Sequence, residues 1–197
     1  MNTEIIGIYS EGYGSGKDSV ANVLAFEFDY IVFGFSEVMK RHIYENIVNS
    51  IFPSYNLWLE YCETHKYDSP DQEGAWVRKL LQGYGQMFRH KDPDYWVKEW
   101  ELYAKEYKKV AVPSVRYPNE AIRIKKLGGL LVKVVRPGID VDDDSSEVSM
   151  NSWAPDYIIM NDGPLWELKE KVMLFMKNKD MLCLKMSPLV KEISTVS

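Results

Sequence analysis

A glycine-rich segment near the start of the chain, Ser10 to Lys17, contains the residue types that bind phosphate. Its glycines allow successive backbone N–H groups to point at the same phosphate oxygens, and Lys17 adds a positive charge. The apolar run from Glu4 to Tyr9 predicts a buried strand before the segment, and the apolar spacing after it predicts a helix over 17–28. Because a helix N-terminus attracts anions, we expect this segment to hold a phosphate between the first strand and the first helix.

The segment departs from the usual P-loop pattern, G-x-x-x-x-G-K-[ST], at two positions. Glu11 replaces the first glycine, and Asp18 follows the lysine, which displaces the hydroxyl to Ser19. The strand and helix context still favours a nucleotide-binding site over a glycine-rich turn that binds nothing. The predicted nucleotide-binding residues of the segment are Gly12, Tyr13, Gly14, Ser15, Gly16, Lys17, Asp18 and Ser19.

The elements that must position this site alternate between strands and helices. Further strands are predicted over 30–35, 109–113, 130–135 and 156–160, and helices over 118–127 and 165–176. This order predicts an α/β domain over 1–178, with three α/β/α layers and a mostly parallel five-stranded sheet that binds ligands at the carboxyl ends of its strands. An aromatic, helical insertion over about 36–108 separates the second and third strands. A polar segment over 137–154 is predicted to act as a lid, and 179–197 as a loosely attached tail.

Composition excludes several classes of protein. The 197 residues are 46% hydrophobic and 27% charged, which suits one globular domain. A net charge of −5 argues against broad binding to nucleic acids or membrane surfaces. The two cysteines, Cys62 and Cys183, lack metal-ligand spacing, and no run of apolar residues predicts a signal peptide or a membrane span. We therefore predict a cytoplasmic protein, in the host cytoplasm if it is viral, that acts on small molecules; homodimer formation stays open.

Several segments in order along the chain resemble one known family. They include 35–40, the Leu-Leu-Gln-Gly-Tyr-Gly stretch at 80–85 with Arg89, Arg116 to Ala121, and Asn161 to Gly163. With the glycine-rich segment, they resemble the phage-type deoxynucleoside monophosphate kinases, relatives of the adenylate kinase and dephospho-coenzyme A kinase folds. The resemblance runs from about 5 to about 172. It implies a P-loop NTPase-type fold and transfer of the ATP γ-phosphate, with Mg²⁺, to a deoxynucleoside 5′-monophosphate.

The resemblance also implies roles for individual residues. Lys17, Arg116 and Arg136 are candidates for stabilising the transferring phosphoryl group, because positioned charges dominate this chemistry. Asn161 and Gly163 match the region that packs on adenine, and Asp18 and Ser19 are candidate Mg²⁺ ligands. The candidate acceptor-binding residues are Glu37, Lys40, Arg78, Gln82, Arg89 and Glu120. The alternatives are that Arg78 and Arg89 are solvated helix charges and that Arg116 only pairs with Glu120.

One departure from the family bears on catalysis. Ser114 stands where the family usually has an aspartate, two residues before Arg116. The loss of that carboxylate keeps two other functions open: a P-loop kinase for another small acceptor such as dephospho-coenzyme A, and a nucleotide-binding module without turnover. The sequence does not indicate which base is preferred.

Overall fold

A computed structural model describes residues 3–10, 12, 14–65, 68–69, 71–139, 150 and 153–193, with side chains as far as Asp180. The chain forms two compact units. The first, here called the sheet unit, comprises Met1–Gly34 and Tyr103–Ser197, and the second, the helical unit, comprises Phe35–Leu102. Tyr13 and most of the predicted lid over 137–154 lie outside the described residues. No helix in the described part of the chain is both long enough and apolar enough to cross a membrane.

The sheet unit is built on five parallel strands. Their order is β2-β3-β1-β4-β5, so that β1 lies at the centre, between β3 and β4. The five-stranded sheet that the sequence predicts is therefore confirmed. Only β2 is much shorter than the predicted strand over 30–35, because the chain enters a helix at Phe35. The strands are β1 Glu4–Tyr9, β2 Ile31–Val32, β3 Lys109–Val112, β4 Leu130–Val135 and β5 Tyr157–Met160.

Helices cover both faces of the sheet, which gives the predicted three-layer α/β/α architecture. On one face, α1 (Lys17–Phe28) and α7 (Leu165–Ile193) pack their buried residues against Ile6 and Ile8 of β1. On the other face lies α6 (Pro118–Lys126). A methyl group on Gly7 would lie 2.8 Å from Ile124 Cδ1 and 2.9 Å from Leu131 Cδ2, so that glycine allows α6 to approach the central strand closely.

The last helix, α7, extends beyond the predicted end at Met176 and continues into the region from 179 where we expected a loosely attached tail. Its backbone remains helical to Ile193, through Pro188, and residues 177–187 contain neither glycine nor proline. Lys179 of this extension forms an ion pair with Glu4 at the start of β1. Burial alone would raise the pKa of the Glu4 carboxyl, but hydrogen bonds from Lys179 and Tyr30 outweigh it and lower that pKa.

In the described residues of the helical unit, four α-helices pack together through aromatic side chains. One core cluster is formed by Ile43, Val48, Trp58, Cys62 and Val77. Burial raises the pKa of the Cys62 thiol to about 12, so that this cysteine behaves as a small apolar side chain. The helices are α2 Phe35–Ile43, continued by a π-helical turn over Tyr44–Val48, then α3 Tyr55–His65, α4 Ala75–Lys91 and α5 Tyr95–Ala104, whose last two residues belong to the sheet unit.

Two tryptophans anchor α5 in the helical unit. Trp96 and Trp100 are 1% and 0% exposed. The indole N–H of Trp96 donates to the carbonyl oxygen of Gly85 at 3.1 Å, and the Trp100 ring lies 4.9 Å from that of Phe35. A buried indole needs a hydrogen-bond partner, and the Gly85 carbonyl supplies one from α4.

Candidate active site

The glycine-rich segment between β1 and α1 uses backbone conformations that favour glycine. Gly14 and Gly16 have φ angles of 69° and 99°, and Gly16 is the residue from which α1 starts. A side chain at either position would be strained by its φ alone. The described residues of the segment therefore form a turn that ends at the N-terminus of α1, where anions are favoured.

Lys17 lies folded against its own loop. Its ammonium group donates to Ser10 Oγ at 2.6 Å and approaches the Gly12 carbonyl oxygen at 3.5 Å. Ser10 is 1% exposed, and its hydroxyl donates in turn to the Gly12 carbonyl at 2.9 Å. Sequence reasoning gave Ser10 no role of its own. The sequence did contain a signal for such a role: Ser10 directly follows β1, where its hydroxyl is well placed to bind the lysine at the other end of the loop.

Two side chains from the carboxyl ends of neighbouring strands also bind the loop. Arg136, just after β4, donates from Nη1 to the Gly14 carbonyl at 3.1 Å. Asn161, just after β5, donates from Nδ2 to the Ser15 carbonyl at 2.8 Å, and its own N–H donates to the Val135 carbonyl at 2.7 Å. The structure thus brings Arg136, Asn161 and Lys17 together at one loop.

Asn161 also explains why Gly16 must lack a side chain. A methyl group on Gly16 would lie 2.5 Å from Asn161 Nδ2, which is too close for a non-bonded contact. Gly163, two residues further along, is exposed, and a side chain there would meet the carboxylate of Glu167. The predicted contacts of Asn161 and Gly163 with adenine stay predictions, whereas the support that Asn161 gives to the loop is a structural fact.

Glu120 caps the N-terminus of α6. Its carboxylate is buried and accepts from the backbone N–H of Arg116 at 2.8 Å and of Tyr117 at 3.2 Å. A carboxylate at this position satisfies N–H groups that have no partner within the helix. Glu120 therefore has a structural task beside its predicted role in substrate binding, and it fixes the backbone from which the Arg116 side chain starts.

Ser114 occupies the carboxyl end of the sheet in an uncommon conformation. Its φ angle is 59°, and the next residue, Val115, donates from its N–H to the Ile8 carbonyl of β1 at 2.9 Å. Asparagine and aspartate adopt positive φ more readily than most other residues apart from glycine. The backbone at this position is thus of the kind that suits the aspartate typical of the family.

In the helical unit, the candidate acceptor residues of α4 share one helix face. Arg78, Gln82 and Arg89 are separated by four and seven residues, and Gly85 completes the same stripe. Arg78 and Gln82 are exposed, and Arg89 is half-buried. The binding of an acceptor by these three residues stays a prediction.

Lys40 differs from these arginines, because carboxylates already surround it. Its ammonium group lies 2.9 Å from Glu63 Oε1 and 3.6 Å from Glu37 Oε1, and its side chain is 10% exposed. Burial would lower the pKa of Lys40, but Glu37 and Glu63 outweigh it and raise that pKa. Sequence reasoning missed Glu63, since nothing in the chain pairs it with a residue 23 positions away.

The candidate metal ligands lie in the first turn of α1. Asp18 is exposed and Ser19 is half-buried. Among the described residues, no group of three or more His, Cys, Asp or Glu side chains could hold a metal ion. The donor set of Asp18 and Ser19 nevertheless fits Mg²⁺, which keeps most of its water ligands and takes few oxygens from the protein.

Comparison with known proteins gives the family. The sequence profile of the deoxynucleotide monophosphate kinases matches residues 59–172, which is more than half of the chain. The chain belongs to the deoxynucleotide monophosphate kinase family. This kinase is therefore a phosphotransferase, and the resemblance inferred from its motifs is confirmed.

Two viral relatives and one solved structure are similar to this kinase. A protein of Acanthamoeba polyphaga mimivirus, provisionally named a deoxynucleotide monophosphate kinase, is 27% identical over 90% of this chain and 98% of its own length. The deoxynucleotide monophosphate kinase of enterobacteria phage T4 is 32% identical over 51% of this chain, but over 45% of its own length. The crystal structure of TT1252 from Thermus thermophilus superimposes with a TM-score of 0.51 at 16% identity and covers 91% of this kinase and 98% of that chain, which supports the fold.

Proposed function

We propose that this kinase transfers the γ-phosphoryl group of ATP to a deoxynucleoside 5′-monophosphate and uses Mg²⁺. The observation that carries the proposal is the loop before α1. There, two glycines with positive φ and the Lys17 side chain lie at the carboxyl ends of parallel strands, in a chain of this family. The names of the two viral relatives agree with a deoxynucleotide acceptor.

The sheet unit supplies the groups that suit a phosphate donor. The loop ends at the N-terminus of α1, and Lys17 can exchange its contact with Ser10 for the donor phosphates. The hydroxyl of Ser15 is buried and has no hydrogen-bond partner among the described residues, which fits a phosphate oxygen as its acceptor. Asp18 and Ser19 would hold Mg²⁺, which neutralises charge on the phosphates when bound. Arg116 and Arg136 are the proposed stabilisers of the transferring group.

The helical unit supplies the groups that suit the acceptor. Arg78 and Arg89 are the proposed phosphate ligands, because a guanidinium binds two phosphate oxygens at once. Gln82 is the proposed reader of the base edge, since its amide can both donate and accept. Glu37 and Lys40 belong to the same predicted surface, although their charges already pair with each other.

The test measures ADP formed by the purified full chain with ATP, Mg²⁺ and each of the four natural deoxynucleoside monophosphates. We expect formation of ADP and the matching diphosphate with at least one of them, and none without acceptor or without Mg²⁺. Dephospho-coenzyme A is assayed in parallel as the alternative acceptor. Turnover with that compound alone would contradict the proposal. ATP binding without transfer to any of these acceptors would also contradict it and would favour a binding module.

A further inference from the structure

Gly85 is buried near the middle of α4, which is an unexpected place for a glycine. Glycine weakens a helix interior relative to alanine, so that its presence there calls for a local reason. The neighbouring Gly83 is exposed, and a methyl group on it would meet nothing within 4 Å. The two glycines of the Gln-Gly-Tyr-Gly stretch therefore differ in their surroundings.

A methyl group on Gly85 would lie too close to Met39 and tightly against Arg89. It would lie 2.9 Å from Met39 Sδ and 3.0 Å from Arg89 Nη1. The backbone cannot easily retreat from them, because the carbonyl of Gly85 accepts the buried indole N–H of Trp96 on α5. The missing side chain thus leaves a notch in α4, and the guanidinium of Arg89 lies at that notch.

We infer that Gly85 is a positioning residue for acceptor binding, because its notch lets the Arg89 guanidinium lie back along α4 toward Gln82 and Arg78. Helix side chains lean toward the N-terminus, which is the direction in which Arg89 reaches Gly85. About 16 Å of helix rise separates Arg78 from Arg89, but only about 10 Å separates Arg78 from Gly85. The notch therefore places the Arg89 guanidinium at the level of Gly85, one turn closer to the backbone of Gln82 and Arg78 than the Arg89 backbone is.

This inference rests on the proposed role of Arg89 in binding the acceptor phosphate. It predicts a specific defect for Gly85→Ala. Both atoms that the new methyl would meet are ends of flexible side chains, so that the helix can keep its fold while Arg89 moves aside. The Arg89 guanidinium would then no longer lie where the acceptor site needs its second positive charge, whereas the ATP site would be unaffected.

The experiment compares Gly85→Ala with Gly83→Ala, its matched control on the same helix, and with Arg89→Ala. Steady-state kinetics in the full chain give KM for the deoxynucleoside monophosphate, KM for ATP and kcat. We expect Gly85→Ala to raise the acceptor KM about tenfold with the ATP KM unchanged. Gly83→Ala should leave both KM values unchanged and raise the melting temperature. The double variant G85A/R89A should show no larger defect than R89A, because Gly85 acts through Arg89.

The outcomes separate failure of this inference from failure of the proposed function. If R89A leaves the acceptor KM unchanged, the proposed role of Arg89 is wrong, and the inference falls with it. If R89A raises that KM and G85A does not, or if the two defects add in the double variant, the inference alone is overturned. Should G85A not fold, the same comparison is made in a Met39→Ala background, which gives the new methyl group room on one side.

Discussion

The sheet unit and the helical unit present their candidate functional groups in different ways. In the sheet unit, the site is mainly backbone: glycines with positive φ shape a loop, and Ser10, Arg136 and Asn161 bind its carbonyl groups. In the helical unit, the site is a stripe of long side chains on α4, and Lys40 already pairs with carboxylates. A backbone site tolerates few substitutions, whereas a stripe of side chains can change its preference residue by residue.

The largest effect should follow from Lys17→Ala. We expect kcat for phosphoryl transfer to fall about 10³-fold with the fold intact, because a positioned charge on the transferring group supplies much of the rate. Lys105→Ala, which removes an exposed lysine elsewhere in the sheet unit, serves as the control and should leave kcat unchanged. Activity of Lys17→Ala close to that of the wild type would remove this lysine from the mechanism.

Substitutions at two glycines should show how far the loop depends on its backbone. We expect Gly14→Ala to reduce the free energy of unfolding by about 1–2 kcal/mol, because alanine at positive φ is strained. Gly16→Ala should cost roughly twice as much, since its methyl group also meets Asn161, whereas that of Gly14 meets nothing within 4 Å. Urea unfolding monitored by circular dichroism measures both. Equal losses of unfolding free energy in the two variants would show that the Asn161 side chain moves away from the new methyl group at no energetic cost.

Arg78→Ala should change acceptor binding alone. We expect the KM for the deoxynucleoside monophosphate to rise about tenfold, or about 1.4 kcal/mol, with the KM for ATP unchanged. Lys79→Ala is the matched control, because Lys79 is an equally exposed cation on a different face of α4. If both variants raise the acceptor KM by the same factor, the effect comes from the loss of any positive charge on α4, and the face that carries Arg78 has no special role.

The smallest effect concerns the pH dependence of stability at Lys40. Its folded pKa lies above the ordinary value of 10.5 for a lysine, so that its pairing stabilises the fold fully below pH 10.5 and is lost as the pH rises through the folded pKa. We expect Lys40→Met to cost about 1 kcal/mol of unfolding free energy at neutral pH. The difference from the wild type should shrink above pH 10.5 in urea unfolding curves. A constant difference across that range would contradict the pairing.

The sequence was sufficient wherever a local pattern determines the structure. β1 and α1 begin and end at the predicted residues, because a short apolar run, a glycine-rich turn and helical spacing each have a distinct signature. The shared face of Arg78, Gln82 and Arg89 on α4 likewise follows from spacing alone, because residues four and seven positions apart lie on one helix face whatever surrounds them. Segment motifs also sufficed to identify the family, which the profile match confirms.

Contacts between distant residues could not be predicted. Asn161 binds the loop across 146 residues, and Lys40 meets Glu63 through the packing of two helices. The length of α7 was also missed, because the polar residues after Met176 suit a helix and a tail equally well. Each of these features depends on tertiary packing, which local propensity does not encode.

The burial of Cys62 makes the motion of the helical unit measurable by itself. The chain has two cysteines, and replacing Cys183 with serine would leave Cys62 as its single thiol. Because Cys62 is 1% exposed inside the core of the helical unit, an alkylating reagent reaches it only when that core opens. The alkylation rate, compared with and without a deoxynucleoside monophosphate, would therefore report how strongly the acceptor suppresses breathing of this unit before any phosphate is transferred.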